Sequence, residues 1–186
     1  ASSRFGCNKA LALLHGVPVI LHVASILEKI FPRRLLVTNT PRTYEFLGWP
    51  MVGDIHAHSG PLAGIHAALL NIEGSQAFIA GCDMPRIHGG LIAHLCNLPG
   101  SWDVALPWPE TGPEPLYAVY RKTCLAVIDR QLREKQGKIR LALEKLKLGK
   151  VSQEEVLAIT GDLTTFHNIN RVGDLELLAE QAPCNS

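Results

Sequence analysis

The stretch from residue 77 to residue 85 reads A-F-I-A-G-C-D-M-P. Its first five residues are apolar or small, the run is too short for a helix, and a turn follows it, so it predicts a buried strand over 77–81. Asp83 would then lie at the carboxyl end of that strand, where a carboxylate is well placed to hold Mg²⁺ against phosphates. A single aspartate in a turn is equally typical of a helix cap, so both roles stay open for Asp83 at this point.

Strand and helix patterns alternate on both sides of this stretch. The predicted helices cover 17–31, 42–47, 61–72, 89–97, 123–135, 139–148 and 172–180, and the predicted strands cover 35–37, 50–53, 77–81, 102–106 and 116–120. Ser152 and Glu155 form a capping box that opens one more helix. The alternation predicts an α/β fold with a Rossmann-like, doubly wound, mostly parallel sheet and helices on both faces.

Three polar side chains lie just after three of the predicted strands. They are Asn39, Asp54 and Asp83. Right-handed crossovers bring the carboxyl ends of such strands to one edge, which is where open α/β sheets bind their ligands. We therefore expect these three residues to converge on one site.

Composition narrows the class of protein. The chain has 186 residues, of which 47% are hydrophobic and 19% charged, and its formal net charge is +1. The high hydrophobic fraction excludes a disordered chain, and the length predicts a single domain over 1–186. The net charge shows no overall basic excess for binding nucleic acid. The sequence contains no apolar run long enough to span a membrane. The five cysteines include no C-x-x-C pair, which argues against a structural zinc site and favours a reducing, cytoplasmic location.

Residues 2–9, S-S-R-F-G-C-N-K, form a small polar loop with two cations. Backbone N–H groups in such a loop can approach a triphosphate, while Arg4 and Lys9 offset its charge. The alternative is a flexible basic N-terminus. In the loop after 50–53, His56 and His58 form H-A-H, a pair that can chelate a metal, although an exposed loop pair is favoured because no third ligand lies nearby in sequence.

Three further segments are candidate ligand-binding elements. Gly60 and Gly64 of S-G-P-L-A-G allow close backbone approach at a helix start, or simply close helix–sheet packing. Residues 129–150 carry eight basic against three acidic side chains, and this run would either receive an anion through a residue such as Arg140 or form an ordinary solvated helix face. Asn168 and Asn170 flank an apolar residue after a predicted extended stretch at 165–167, so on a strand both amides would point to the same side; a polar turn is the alternative.

Together these segments resemble the molybdenum cofactor guanylyltransferase family, whose signature begins L-A-G-G-x-S-x-R-x-G and continues to K-A-L. The matching pieces are S-S-R-F-G at 2–6, K-A-L at 9–11, G-V-P-V-I-L-H-V at 16–23, G-P-L-A-G-I at 60–65, D-M-P at 83–85, E-P-L-Y-A at 114–118 and N-I-N at 168–170. Two departures stand out. Asn8 takes the place where the family often has Asp, and we expect the family's first strand and L-A-G-G loop, about a dozen residues, to precede Ala1.

The resemblance implies a reaction, a set of site residues and partners. GTP and molybdopterin would give the guanine dinucleotide cofactor and pyrophosphate, with Mg²⁺ as the metal and with a cofactor-delivery protein and an acceptor molybdoenzyme as further partners. By position in the motifs, the catalytic residues would be Asp83, also the Mg²⁺ ligand, and Lys9; the nucleotide-binding residues would be Arg4, Lys9, Asn39, Asp54, Gly60 and Asp83; and the pterin-side residues would be Arg140, Asn168 and Asn170. The alternatives are a CTP-using cofactor cytidylyltransferase, a sugar-phosphate nucleotidyltransferase, and a non-catalytic cofactor carrier.

Overall fold

The computed structural model of the chain describes residues 8–56, 59–169 and 174. The strands of this part are β1 (Leu13–Leu14), β2 (Val17–Pro18), β3 (Leu36–Val37), β4 (Met51–Val52), β5 (Gln76–Ala80), β6 (Val104–Trp108), β7 (Tyr117–Arg121) and β8 (Leu148–Ser152). The α-helices are α1 (Val19–Ile30), α2 (Pro61–Asn71), α3 (Gly89–Cys96), α4 (Leu125–Arg133), α5 (Ile139–Leu143) and α6 (Gln153–Thr160). Short 3₁₀ helices span Lys9–Leu11, Pro41–Leu47, Lys122–Cys124 and Thr164–Phe166.

The larger sheet has four strands in the order β5-β7-β6-β8. The β5–β7 and β6–β7 pairs are antiparallel, and the β6–β8 pair is parallel. Strands β3 and β4 form a separate parallel pair, and β1 and β2 a small antiparallel one. The predicted α/β class is confirmed, but the larger sheet is mixed rather than mostly parallel, because β7 returns as a hairpin beside β6 and then pairs with β5.

Two apolar clusters cover the two faces of the larger sheet. Strand β6 sends Val104 and Leu106 into one cluster and Ala105 into the other, because successive side chains of a strand point to opposite faces. The first cluster contains residues of α2, α4 and α5, and the second contains residues of α1, α3 and α6. Helices therefore pack on both faces of the sheet, as the alternating pattern predicts.

Most predicted elements are present with ends shifted by one to three residues, but the helix predicted over 139–148 is wrong in its second half. The helix ends at Leu143, and Leu148 begins strand β8. Gly149 lies against Trp102, whose ring carbon Cγ would be 3.0 Å from a Cβ at this position. Pairing with β6 therefore decides the conformation here, although Ile139, Leu143 and Leu146 keep a helical spacing.

The extended stretch predicted over 165–167 is also wrong. Residues Thr164–Phe166 form a 3₁₀ turn, because the carboxylate of Asp162 accepts hydrogen bonds from both the N–H and the hydroxyl of Thr164, at 2.7 and 2.6 Å. Asn168 consequently follows a turn rather than a strand. The predicted capping box is confirmed: Ser152 and Glu155 exchange hydrogen bonds at the start of α6.

The predicted N-terminal loop up to residue 7, and the predicted helix at 172–180 apart from Asp174, lie outside the described residues. Among the residues that are described, no helix is both long enough and apolar enough to cross a bilayer.

Candidate functional site

Asn39 and Asp54 meet at the carboxyl end of the β3–β4 pair. The parallel register aligns Val37 with Val52, so the residues that follow the two strands lie side by side. The Asn39 amide donates to Oδ2 of Asp54 at 3.1 Å, and its oxygen accepts from the Asp54 N–H at 3.0 Å. The other carboxylate oxygen of Asp54, Oδ1, is buried without a hydrogen-bond partner among the described residues. A bound ligand with an N–H or O–H group would satisfy that oxygen.

Asp83 lies on a tight loop that leaves β5. The N–H of Gly81 donates to the carbonyl of Leu116 at 2.8 Å, and Met84 is fully buried beneath the loop. A Cβ at Gly81 would stand 2.9 Å from Oδ1 of Asp83, so the glycine leaves room for the carboxylate to fold back over the backbone in this rotamer. Sequence reasoning did not single out Gly81, although its place directly before the Cys-Asp pair is a usable signal.

The positive charge of Lys9 influences the ionisation of a residue in this loop. Its charge acts on the Cys82 thiol, although desolvation and the neighbouring Asp83 carboxylate outweigh it and raise the pKa of that thiol to about 11. The residue is exposed, yet its sulfur is surrounded by enough protein to be desolvated, so Cys82 stays protonated at neutral pH. This agrees with the sequence, which offered no activating base for a covalent nucleophile.

The position of Lys9 is set by Asn8. The Asn8 side chain accepts from the N–H of Ala10 at 3.2 Å, which caps the 3₁₀ helix Lys9–Leu11. Its amide nitrogen also donates to the hydroxyl of Tyr44 at 2.8 Å, in the 3₁₀ helix that follows Asn39. This hydrogen bond ties the Lys9 segment to the Asn39 side of the site.

The segment carrying Asn168 is hydrogen-bonded to the Asp83 loop. The N–H of Ile169 donates to the carbonyl of Asp83 at 2.9 Å, and Ile169 is fully buried. The Tyr117 hydroxyl bridges two loops: it accepts from the His88 N–H at 2.9 Å and lies 3.4 Å from the Thr165 hydroxyl. These contacts bring Asn168 next to Asp83 in space. Sequence reasoning missed the bridging role of Tyr117, because hydrogen bonds over such separations leave no local pattern.

Gly60 begins α2 with a φ of 69°, a conformation that favours glycine. The loop before it is in close contact with Gly137, where a Cβ would lie only 2.2 Å from the Ser59 carbonyl oxygen. The basic segment that continues to Arg140 therefore borders the glycine loop. The Arg140 side chain itself is 88% exposed and stands 3.8 Å from Glu144, the i,i+4 pair that was the alternative to a ligand role.

The structure thus brings together Asn39 with Asp54, and Lys9 with Asp83 and the backbone of 168–169. Arg4 and Asn170 lie outside the described residues. The donor set suits Mg²⁺, a hard cation that is usually held by one or two carboxylates plus substrate phosphates and water. Asp83 offers a half-buried carboxylate at the mouth of the loop, so the residues present fit that ion.

A family model, a curated relative and a solved structure all relate the chain to the same family. Residues 1–151 match the family model described as MobA-like NTP transferase domain. The chain is 36% identical over 179 residues to the molybdenum cofactor guanylyltransferase of Desulfosudis oleivorans, covering 94% of this chain and 88% of that protein. It is similar in structure to molybdopterin-guanine dinucleotide biosynthesis protein A from Archaeoglobus fulgidus, with a TM-score of 0.81, 28% identity and coverage of 97% of this chain and 93% of that one. The 2-C-methyl-D-erythritol 4-phosphate cytidylyltransferase of Thermus thermophilus, at 14% identity, a TM-score of 0.69 and 92% coverage of each chain, shares the fold.

Proposed function

Because the chain belongs to the MobA-like NTP transferase family, we propose that it transfers GMP from GTP to the molybdopterin form of the molybdenum cofactor. The products are the guanine dinucleotide form of the cofactor and pyrophosphate. The chain is a nucleotidyltransferase, and its similarity to a guanylyltransferase extends over nearly its whole length.

The observation that carries the proposal is the arrangement around Asp83. The Asp83 carboxylate follows β5, the charge of Lys9 acts on the adjacent Cys82 thiol, and the N–H of Ile169 is hydrogen-bonded to the Asp83 carbonyl. Two anionic substrates must meet for this reaction, and a site with a cation on one side and amide side chains on the other has the groups to hold both.

In the proposed reaction, a terminal phosphate oxygen of molybdopterin attacks the α-phosphorus of GTP in line. The new P–O bond forms as the bond between the α-phosphorus and the bridging oxygen to the β-phosphate breaks, and pyrophosphate leaves with that electron pair. The protein needs no covalent nucleophile for this step, which agrees with the raised pKa of the Cys82 thiol. Its contribution is to position two anions and to stabilise charge on the transferring phosphate.

Each site residue has a proposed part in that task. Lys9 binds the triphosphate, and Asp54, oriented by Asn39, accepts a hydrogen bond from the nucleotide through its unpartnered Oδ1. Gly60 lines the nucleotide pocket, and Asn168 faces the pterin. Asp83 would hold Mg²⁺, which when bound polarises the phosphate oxygens.

Three further residues complete the proposed site. By their positions in the family motif, Arg4 would bind the nucleotide and Asn170 the pterin, and Arg140 would turn from Glu144 toward the pterin phosphate. The cysteines of the described part of the chain, Cys82, Cys96 and Cys124, are free thiols, which supports a reducing, cytoplasmic location. A cofactor-delivery protein and an acceptor molybdoenzyme complete the proposed partners.

The test is calorimetric binding of GTP, CTP and ATP with Mg²⁺ to the full-length protein, followed by measurement of pyrophosphate release when molybdopterin is added. We expect selective GTP binding and molybdopterin-dependent pyrophosphate release. Preference for CTP would replace the proposal by a cytidylyltransferase. Pyrophosphate release with a sugar phosphate instead of molybdopterin would make it a sugar nucleotidyltransferase, and binding of none of the three nucleotides would favour a cofactor carrier.

A further inference from the structure

A cluster of two histidines and an aspartate lies between the β4–α2 loop, α2 and α4. His56 belongs to the loop, His66 to α2 and Asp129 to α4. Each residue offers one ligand atom, and the three atoms all lie within 4.8 Å of one another. The sequence singles out His56 through its H-A-H motif but not its partners His66 and Asp129, because the three residues are separated by 10 and by 63 positions.

Two ring nitrogens of this cluster are buried and unsatisfied. Nε2 of His56 and Nδ1 of His66 have no hydrogen-bond partner among the described residues, and His66 is only 3% exposed. The two rings lie edge to face with their centroids 5.2 Å apart. A buried polar nitrogen without a partner is destabilising, and an ion bound by Nε2 of His56 would satisfy that nitrogen.

Asp129 completes the geometry. Its Oδ2 forms an ion pair with Arg133 at 2.9 Å, which orients the carboxylate, while its Oδ1 lies 3.8 Å from Nε2 of His66. That separation is too long for a hydrogen bond. It is close to the spacing of roughly 3.3 Å between two ligands of one tetrahedral metal ion whose bonds are about 2 Å long.

We propose that His56, His66 and Asp129 form a binding site for a divalent transition metal, with Zn²⁺ as the preferred ion. Two imidazoles and one carboxylate are ligands that suit Zn²⁺ and that Mg²⁺ rarely uses. Three protein ligands leave one coordination position for water or a substrate oxygen. The ion would fasten the loop between β4 and α2, which carries Asp54 and Gly60 at its ends, to the packed helices α2 and α4.

The electrostatics of the cluster agree with this geometry. Burial lowers the pKa of His66, the nearby His56 and Arg133 lower it further, and Asp129 raises it. Neutral imidazole is the form that binds metals. His58 follows His56 by two positions in sequence but lies outside the described residues, and it is no part of the proposed site.

The experiment is a Co²⁺ titration of the tag-free, chelator-treated full chain, without nucleotide, followed by visible absorption. We expect one Co²⁺ per chain with the strong d–d bands of a four-coordinate site and without thiolate charge-transfer absorption, since no cysteine takes part. An equimolar amount of Zn²⁺ should displace the Co²⁺, and excess Mg²⁺ should not. Zn²⁺ should also raise the midpoint of thermal unfolding, because an ion that binds only the folded state stabilises it.

Matched variants decide the assignment. His56→Ala, on the loop, should abolish the bands, and Asp129→Asn should weaken Co²⁺ affinity by about 10- to 100-fold. His94→Ala is the control, because His94 is also half-buried with an unpartnered Nε2 but belongs to no such cluster in the described residues. It and Asp83→Ala should bind Co²⁺ as the wild type does. Absence of stoichiometric binding, unchanged bands in His56→Ala, or their loss in His94→Ala would overturn the site.

The outcome does not depend on the proposed function. A protein that binds Co²⁺ at this cluster but prefers CTP would contradict the guanylyltransferase proposal alone. A protein that binds GTP selectively but takes up no Co²⁺ would contradict the metal site alone.

Discussion

Two regions of the molecule are held together by different interactions: the hairpin formed by β6 and β7 by apolar burial, and the loops after β3, β4 and β5 by hydrogen bonds. Leu106 and Val119 in the hairpin are completely buried, and both strands run for five residues. Strands β3 and β4 have two residues each, and the side chains that follow them, Asn39 and Asp54, are held by a few hydrogen bonds near the surface. The hairpin is therefore where burial supplies stability.

The loops can carry charged and amide groups because the fold does not depend on burying them. Burial of an apolar side chain contributes about 1.5–3 kcal/mol, whereas a surface polar contact contributes about 1 kcal/mol or less. Substitutions in the loops should consequently change activity without unfolding the chain, and substitutions in the hairpin should do the reverse. Four changes test this contrast.

The largest effect is expected from Asp83→Ala. Loss of the carboxylate should lower the rate of guanylyl transfer by about 10²–10³-fold, because a group aimed at transition-state charge is removed. The midpoint of thermal unfolding should change by less than about 2 °C, since Asp83 is not part of the core.

The control for that variant is Glu73→Gln. Glu73 is an exposed carboxylate paired with Arg33, and its loss should leave transfer unchanged. Normal turnover in Asp83→Ala would remove the metal and catalytic roles from this residue.

Leu106→Ala should lower the stability of the fold and leave the transfer activity unchanged. Leu106 is fully buried in the cluster shared by the sheet, α2 and α4, and its truncation should lower the free energy of unfolding by about 2–5 kcal/mol. Urea unfolding measures the loss, and transfer activity per folded molecule should stay at the wild-type level. Leu157→Ala, at a 38% exposed position, should cost under about 0.5 kcal/mol. Equal losses at the two positions would show that the hairpin does not dominate stability.

Lys9→Ala should weaken GTP binding by about 10- to 150-fold, because one charge-assisted contact to phosphate is worth about 1.5–3 kcal/mol. Calorimetry measures this change, and the unfolding midpoint should not move. Lys29→Ala, an exposed lysine in the last turn of α1, is the matched control. An unchanged affinity in Lys9→Ala would exclude Lys9 from the nucleotide site.

The smallest effect is expected at Asp103, a polar residue directly before β6 of the hairpin. Partial burial opposes its ionisation, but hydrogen bonds from the Thr123 hydroxyl and the Lys147 N–H outweigh it and lower the pKa of Asp103. A carboxyl whose pKa is lowered by folding stabilises the protein above its unfolded pKa, about 3.9, and this contribution is lost as the pH falls through the folded value.

Asp103→Asn should therefore cost about 1 kcal/mol at neutral pH, and the difference from wild type should shrink as the pH falls below about 4. Urea unfolding at a series of pH values measures both. A difference that is independent of pH over that range would show that the charge of Asp103 is not what stabilises the hairpin.

Much of the local structure was predictable. The strand before Asp83, helix α2 and the Ser152–Glu155 capping box follow from apolar runs and cap residues that act over a few positions. The proximity of Asn39 to Asp54 was expected from the parallel strands that precede them, and the structure adds the hydrogen bonds between them. The mixed order of the larger sheet was not, because the sequence of a strand does not encode the direction of its neighbour.

The sequence determined by local periodicity where strands and helices form, and by its D-M-P and G-P-L-A-G motifs which family the chain resembles. The tertiary structure alone decided three things: that Lys9 lies beside the Asp83 loop, that Ile169 binds the Asp83 carbonyl, and that His66 and Asp129 meet His56. The physical reason is the distance along the chain over which each kind of interaction acts. Backbone periodicity and capping act over a few residues, whereas these contacts depend on packing between segments far apart in the chain, where the burial of many apolar groups outweighs any local preference.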